Sequence, residues 1–333
     1  NQRNEEAAST EYRYSTYDSA PWAFFDDLQV RSAWNGFEVI YTSPEVVTGM
    51  AHVFYLGNNP LTHQEDTILV KSFPISRRGD TLNFKLEQKF EKNTVVVRTE
   101  DFQGYRVRQE IFPGINAFWT EQWKMTADRF NDGGLSVNSD IAKTGVNYVF
   151  DGELKGKVRM AGYLATDGLT ARDGIVEYGT YVAGPQATEK PLVLDLGEEK
   201  VPAWIRLYCH IPMTQALHPA GTWKELGTVW NGWYDDKIPC KLTVYGNRTT
   251  GNPEDGGWER LVLQDLESPK TMEQFEQKKP VFVDVQFPAV DNNYRYLKIV
   301  VHEMFKTSRI ANTDSNPERY FTLHELEVFV KKN

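Results

Sequence analysis

The chain has 333 residues, enough for about two domains and for cores that need no crosslinks. With 40% apolar and 25% charged residues it has the composition of an ordinary globular protein. A net charge of -9 leaves no basic surplus for nucleic acid or anionic lipid, and no apolar run approaches the roughly 18 residues of a membrane-spanning helix. Aromatic residues are the excess, at 13% including 9 Trp; rings suit β-sheet cores, and they also suit sugars, because a ring can lie against the apolar face of a pyranose.

Asn1–Ala20 is polar and reads as a flexible tether, with no leader peptide. From Pro21 onward, period-two alternation marks strands at Phe37–Tyr41, His52–Leu56, Thr67–Val70, Leu82–Leu86, Thr94–Val97 and Tyr105–Arg108. Turn clusters separate them at Gly57–Pro60, Arg78–Asp80 and Phe102–Gly104. About seven strands in about 100 residues describe an immunoglobulin- or fibronectin-III-like β-sandwich over residues 21–130. The stretch from Trp119 to Asn138 is less regular, and Asn131-Asp132-Gly133-Gly134 breaks any regular element, so the boundary falls between 119 and 137.

The remainder, 137–333, is again strand-rich: Pro191–Gly197, Ala203–Ile211, Lys241–Gly246, Val281–Phe287, Tyr296–His302 and Leu323–Val330. Only Met272–Lys279 reads as helix. Alternation turns both Cys209 and Cys240 toward a core, either as a disulfide or as a buried reduced pair; a bridge would close about 30 residues and contribute about 3–4 kcal/mol.

Five segments of this half, in order, resemble the discoidin, or coagulation-factor type C, family, whose fold is a galactose-binding-like jelly roll. They are Phe150-Asp151-Gly152; Leu194-Asp195-Leu196-Gly197 with Trp204–Tyr208; Lys241–Gly246 with Gly257–Leu261; Arg295–Val301; and Leu323–Val328. More loosely, the first half resembles the fibronectin-III-like modules that precede such domains in bacterial polysaccharide-utilisation surface lipoproteins. The resemblance implies an extracytoplasmic, secreted or outer-membrane surface protein. It implies an oligo- or polysaccharide ligand and partners in a surface uptake complex. It also implies a structural Ca²⁺ near Asp151 and Glu325, the positions that match the family's opening Asp-Gly and closing Glu.

Family members bind ligands at loops on one end of the barrel. The loop between Cys209 and Cys240 carries Trp223, Trp230, Asn231, Trp233 and Tyr234, a set of rings interleaved with polar groups that suits stacking and hydroxyl recognition. The loop 306–316 carries Arg309, Asn312 and Asp314, planar donors and acceptors suited to sugar hydroxyls. One shielded ring face contributes about 1–3 kcal/mol and each hydrogen bond about 1, so after ordering costs the sum sits near the ~4 kcal/mol of a millimolar complex. Holding a polymer would then need several contacts at once. No nucleophile, zinc or phosphate-loop motif is present, and acidic pairs are unavoidable among 46 acidic residues, so the reading is a non-enzymatic binding protein. His210 and His302 read as exposed strand residues. The alternatives are a protein-interaction module and, below it, a glycoside-processing enzyme.

Overall fold

The structure, a computed structural model, describes residues 20–42, 49–75, 79–90, 92–140, 143–154, 159–161, 175–177, 179–210, 237–266, 281–305 and 319–332. It divides into two compact units, the first ending at Trp119 and the second running from Thr120. Among the described residues both are built from β-strands with helical turns of four residues or fewer, so the fold is all-β.

In the first unit, α1 (Ala20–Ala23) precedes β1 (Gln29–Trp34), β2 (Gly36–Tyr41), β3 (Gly49–Asn58), β4 (Glu65–Pro74), β5 (Asp80–Lys85), β6 (Lys92–Asp101) and β7 (Arg106–Phe118). Their order is β4-β3-β6-β7-β1-β2-β5. All pairs are antiparallel except β1 with β7, which meet in parallel through Ala33 and Trp34. Residues from the two ends of this order share one core: Phe37, Val39 and Phe84 on one side, Ala51, Val53, Val95 and Val97 on the other. The sheet therefore folds over on itself as an immunoglobulin-like sandwich. β3 shows the cause most clearly, since its side chains alternate between buried and half-buried along almost the whole strand. The chain is fixed from Pro21 on, because Phe24 inserts beside Tyr41, at 4.7 Å between ring centres, and the Thr99 hydroxyl donates to the Pro21 carbonyl at 2.7 Å.

The second unit contains β8 (Thr120–Trp123), β9 (Phe130–Asn131), β10 (Arg159–Ala161), β11 (Ile175–Glu177), β12 (Tyr181–Ala183), β13 (Pro191–Lys200), β14 (Pro202–His210), β15 (Pro239–Asn247), β16 (Glu259–Asp265), β17 (Val281–Gln286), β18 (Tyr294–Met304), β19 (Phe321–Leu323) and β20 (Glu325–Lys331). A five-stranded sheet, β16-β15-β18-β13-β9, faces a four-stranded one, β17-β14-β20-β8, and two ribbons, β10-β11 and β12-β19, complete the set. Alternate residues of both large sheets fill the space between them. Leu192, Leu194, Leu242, Val244, Leu297 and Ile299 come from the first, and Ile205, Leu207, Val283, Val285, Leu326 and Val328 from the second. Each such burial contributes about 1.5–3 kcal/mol. The result is a jelly-roll sandwich.

Two expectations differ in detail. Thr120–Trp123 and Phe130–Asn131 are strands of the second unit, pairing with β20 and β13, although their length and weak alternation gave no strand signal and placed them with the first module. Among the described residues the α-helix is Ala20–Ala23, which begins in the expected tether; Met272–Lys279 lies outside the described residues. Cys240 is buried in the second core at 1% exposure, as its alternation implies, and the Cys209 side chain lies outside the described residues.

Candidate functional site

Antiparallel strands alternate in direction, so each end of the second unit collects a defined set of strand termini. At one end β14 stops at His210, β15 starts at Pro239, β18 stops at Met304 and β20 starts at Glu325. Register fixes their proximity: Tyr208 faces Glu325, Pro239 faces Met304 and His210 faces Val281. The Phe305 amide then donates to the Ile238 carbonyl at 2.9 Å, and both residues are fully buried. Ile238 closes the first aromatic-rich connection and Phe305 opens the second, so the two predicted ligand loops leave from adjoining strands. Trp223, Trp230, Asn231, Trp233 and Tyr234 of the first, and Arg309, Asn312 and Asp314 of the second, lie outside the described residues.

Asp151 and Glu325 are described, and they come together at this same end. The Leu326 amide donates to the Val149 carbonyl at 2.9 Å, which ties the Phe-Asp-Gly segment to the start of β20. The Gly152 amide donates to Glu325 Oε2 at 2.9 Å, and the Asp151 amide also donates to that carboxylate. Gly152 has φ of +80°, a left-handed conformation that glycine adopts without a steric cost and that aims its N–H at the carboxylate. Asp151 in turn accepts from the Glu153 amide at 2.9 Å. Glu325 is 6% exposed. Burial pushes its pKa up to about 7, helped by the neighbouring Asp151 and Glu327 carboxylates and opposed by the two amides. The Tyr208 hydroxyl donates to Glu327 Oε2 at 3.0 Å and the Gln122 side-chain amide donates to Glu327 Oε1 at 3.1 Å, so the neighbouring carboxylate is held in place on the outer face of the sheet.

A cation would relieve this concentration of negative charge. Asp151 and Glu325 together offer at most four oxygens against the six to eight that calcium takes. Among the described residues no three His, Cys, Asp or Glu side chains converge as a metal site. The pair fits a partial calcium shell and does not complete one.

Sequence reading missed the setting of His302. It is half-buried, not an exposed strand residue: its Nδ1 meets Glu189 at 2.8 Å and its Nε2 meets the Thr243 hydroxyl at 2.8 Å. A carboxylate, an imidazole and a hydroxyl in line have the connectivity of a nucleophile relay. Thr243 is 4% exposed, and the three tie the approach to β13 onto β15 and β18. The partners came from three segments distant in sequence, which no spacing motif records. The His210 side chain lies outside the described residues.

No protein-family model matches the chain, and no curated protein matches it in sequence. Solved structures align with it at low identity. A SusE-like protein aligns over 94% of this chain and 99% of its own, at 10% identity and a TM-score of 0.39. The CBM32-1 module of a family 31 glycoside hydrolase from Clostridium perfringens aligns over 46% of this chain and 77% of its own, at 10% identity and a TM-score of 0.26. A Streptococcus pneumoniae fucose binding module aligns over 58% and 86%, at 12% identity and a TM-score of 0.27.

Proposed function

We propose that the chain is a non-catalytic carbohydrate-binding protein whose second unit captures a glycan at the end from which loops 211–236 and 306–318 depart. The observation that supports this most is the hydrogen bond between Ile238 and Phe305, which brings the residue after the aromatic-rich segment against the residue before the Arg-Asn-Asp segment. Stacking groups from one and hydroxyl partners from the other then serve a single ligand. In this reading Trp230 and Trp233 supply ring faces, Trp223 and Tyr234 extend them, and Asn231, Arg309, Asn312 and Asp314 bond hydroxyls. The first unit acts as a fibronectin-III-like spacer. The protein works outside the cytoplasm, at a bacterial surface, beside other components of an uptake assembly. Calcium, held in part by Asp151 and Glu325, would fix the Phe-Asp-Gly turn at the start of β20.

A glycan array tests the proposal with the wild type and the Trp230→Ala, Trp233→Ala double variant. Binding of the wild type, reduced at least tenfold in a double variant of unchanged melting temperature, is the expected outcome. Equal binding by both moves the site elsewhere. A second reading, a protein-interaction module, draws on the outer face of the first unit. There Leu69, Phe54, Val96 and Ile111 occupy facing register positions across four strands, with Leu69 52% and Ile111 58% exposed. An empty glycan array, with a protein recovered by pull-down that a Leu69→Asp, Ile111→Asp variant loses, would favour it.

A further inference from the structure

At the end of the second unit opposite His210, Pro239 and Met304 lies a cleft of about 170 Å³, lined by Pro202, Leu261, Pro288 and Val290 and by Glu259 and Tyr294. It forms where β13 turns into β14, β15 connects to β16, and β17 connects to β18. The last connection is pinned, since the Phe287 amide donates to the Ala203 carbonyl at 2.9 Å and the Val290 amide to the Pro288 carbonyl at 2.9 Å. Two prolines, Leu261 and Val290 make an apolar floor, and Val290 is 49% exposed. Along the other wall the Tyr294 hydroxyl donates to Glu259 at 2.6 Å and is also bonded by Asn292. The Tyr294 ring cannot swing away: it lies against Gly246, where a Cβ would come within 2.5 Å of it, and under the Arg248 guanidinium at 5.7 Å. Arg260 supplies a cation beside the Glu259 anion, so the rim as a whole favours neither sign.

We propose that this cleft is a second saccharide site that takes one neutral pyranose ring. A cavity of about 150 Å³ accepts one benzene ring, so the volume admits a six-membered ring. An apolar floor beside a hydrogen-bonded carboxylate, amide and phenol, with an exposed guanidinium at the rim, matches a ligand with a C–H face and a hydroxyl edge. The inference rests on the glycan-binding reading and adds a contact at the far end of the same unit. Two weak sites on one unit would hold a polymer through effective concentration.

The test uses the whole chain with labelled Leu and Val methyl groups. It is titrated with the methyl glycosides of β-D-glucose, β-D-galactose and α-D-mannose, and with cyclohexanol as an apolar ring lacking the hydroxyl pattern. Saturable shifts of the Leu261 and Val290 methyls with at least one glycoside are expected, in the wild type and in the Trp230→Ala, Trp233→Ala variant alike. Glu259→Gln should weaken that binding about five- to tenfold, and Val290→Trp, an exposed position that fills the floor, should abolish it. The proposal is overturned by silence of both methyls toward all three glycosides, by an equal response to cyclohexanol, or by loss of the response in the loop variant. Silence in the cleft with a glycan still captured on the array removes this second site alone; silence in both removes the glycan reading as well.

Discussion

Single residues show where sequence reasoning reached chemistry and where it stopped. Asp151 and Glu325 are far apart in the chain, yet the resemblance that singled them out placed both at one site, and the Gly152–Glu325 hydrogen bond joins them. The raised pKa of Glu325 was not legible, because it depends on burial and on Glu327 and Asp151 together. Its consequence has a definite sign. Below the unfolded value of 4.5 both states are protonated and no penalty arises. Between that pH and about 7 the unfolded chain loses its proton while the folded one keeps it, so this group's contribution to stability falls as pH rises. Glu325→Gln should therefore gain stability relative to wild type as pH is raised from 4.5 to 8, by about 1–3 kcal/mol in urea titrations without calcium. An identical pH dependence in both proteins would contradict the assignment. Calcium should reverse the trend in the wild type and leave the variant unmoved; if chelation leaves the wild type's melting temperature unchanged, no stabilising ion sits there. A second buried pair is structural: the Tyr181 hydroxyl donates to Asp132 at 3.2 Å, and burial, then Asp132, raises the tyrosine's pKa. Tyr181→Phe should cost about 1–2 kcal/mol, read as a lower urea midpoint, because Asp132 loses a donor; a neutral result would mean that water replaces it.

At the scale of elements, alternation carried most of the fold. Phe37–Tyr41, His52–Leu56 and Tyr296–His302 are strands because branched and aromatic residues recur every second position, and they lie inside β2, β3 and β18. Among the elements that escaped are short ones whose pairing is decided by partners: β8 and β9 run four and two residues, and β10, β11 and β12 three each. Gly197, read as the end of a strand and as part of a resemblance, has a further physical reason. At φ +84° it closes the bulge of β13, and a Cβ there would meet the Arg129 guanidinium at 2.8 Å. Gly36 makes the stronger test. A Cβ on it would stand 1.8 Å from the Phe84 carbonyl oxygen, which is backbone and cannot swing aside. Gly36→Ala should separate β2 from β5 and destabilise the first unit by about 2–4 kcal/mol. A loss under about 0.5 kcal/mol would show that the pairing tolerates a side chain.

For the molecule as a whole, the chain passes between two units at Trp119–Thr120, and each unit has its own core. Calorimetry should resolve two unfolding transitions, one lowered by Gly36→Ala and the other altered by Glu325→Gln. A single transition shifted by both would contradict separate folding. The candidate glycan site was only half legible in the sequence: composition marked the two segments, but what brings the end of one to the start of the other is a backbone hydrogen bond between Ile238 and Phe305, residues more than 60 apart in the chain. The account's central claim concerns where a bound saccharide touches the protein. Hydroxyl-radical footprinting of the whole chain, with and without the best glycan from the array, addresses it directly. Protection of Trp230 and Trp233, with Phe102 and Tyr105 of the first unit unchanged at their 70% and 68% exposure, is the predicted pattern. Protection confined to the first unit, with both tryptophans reacting as before, would contradict it.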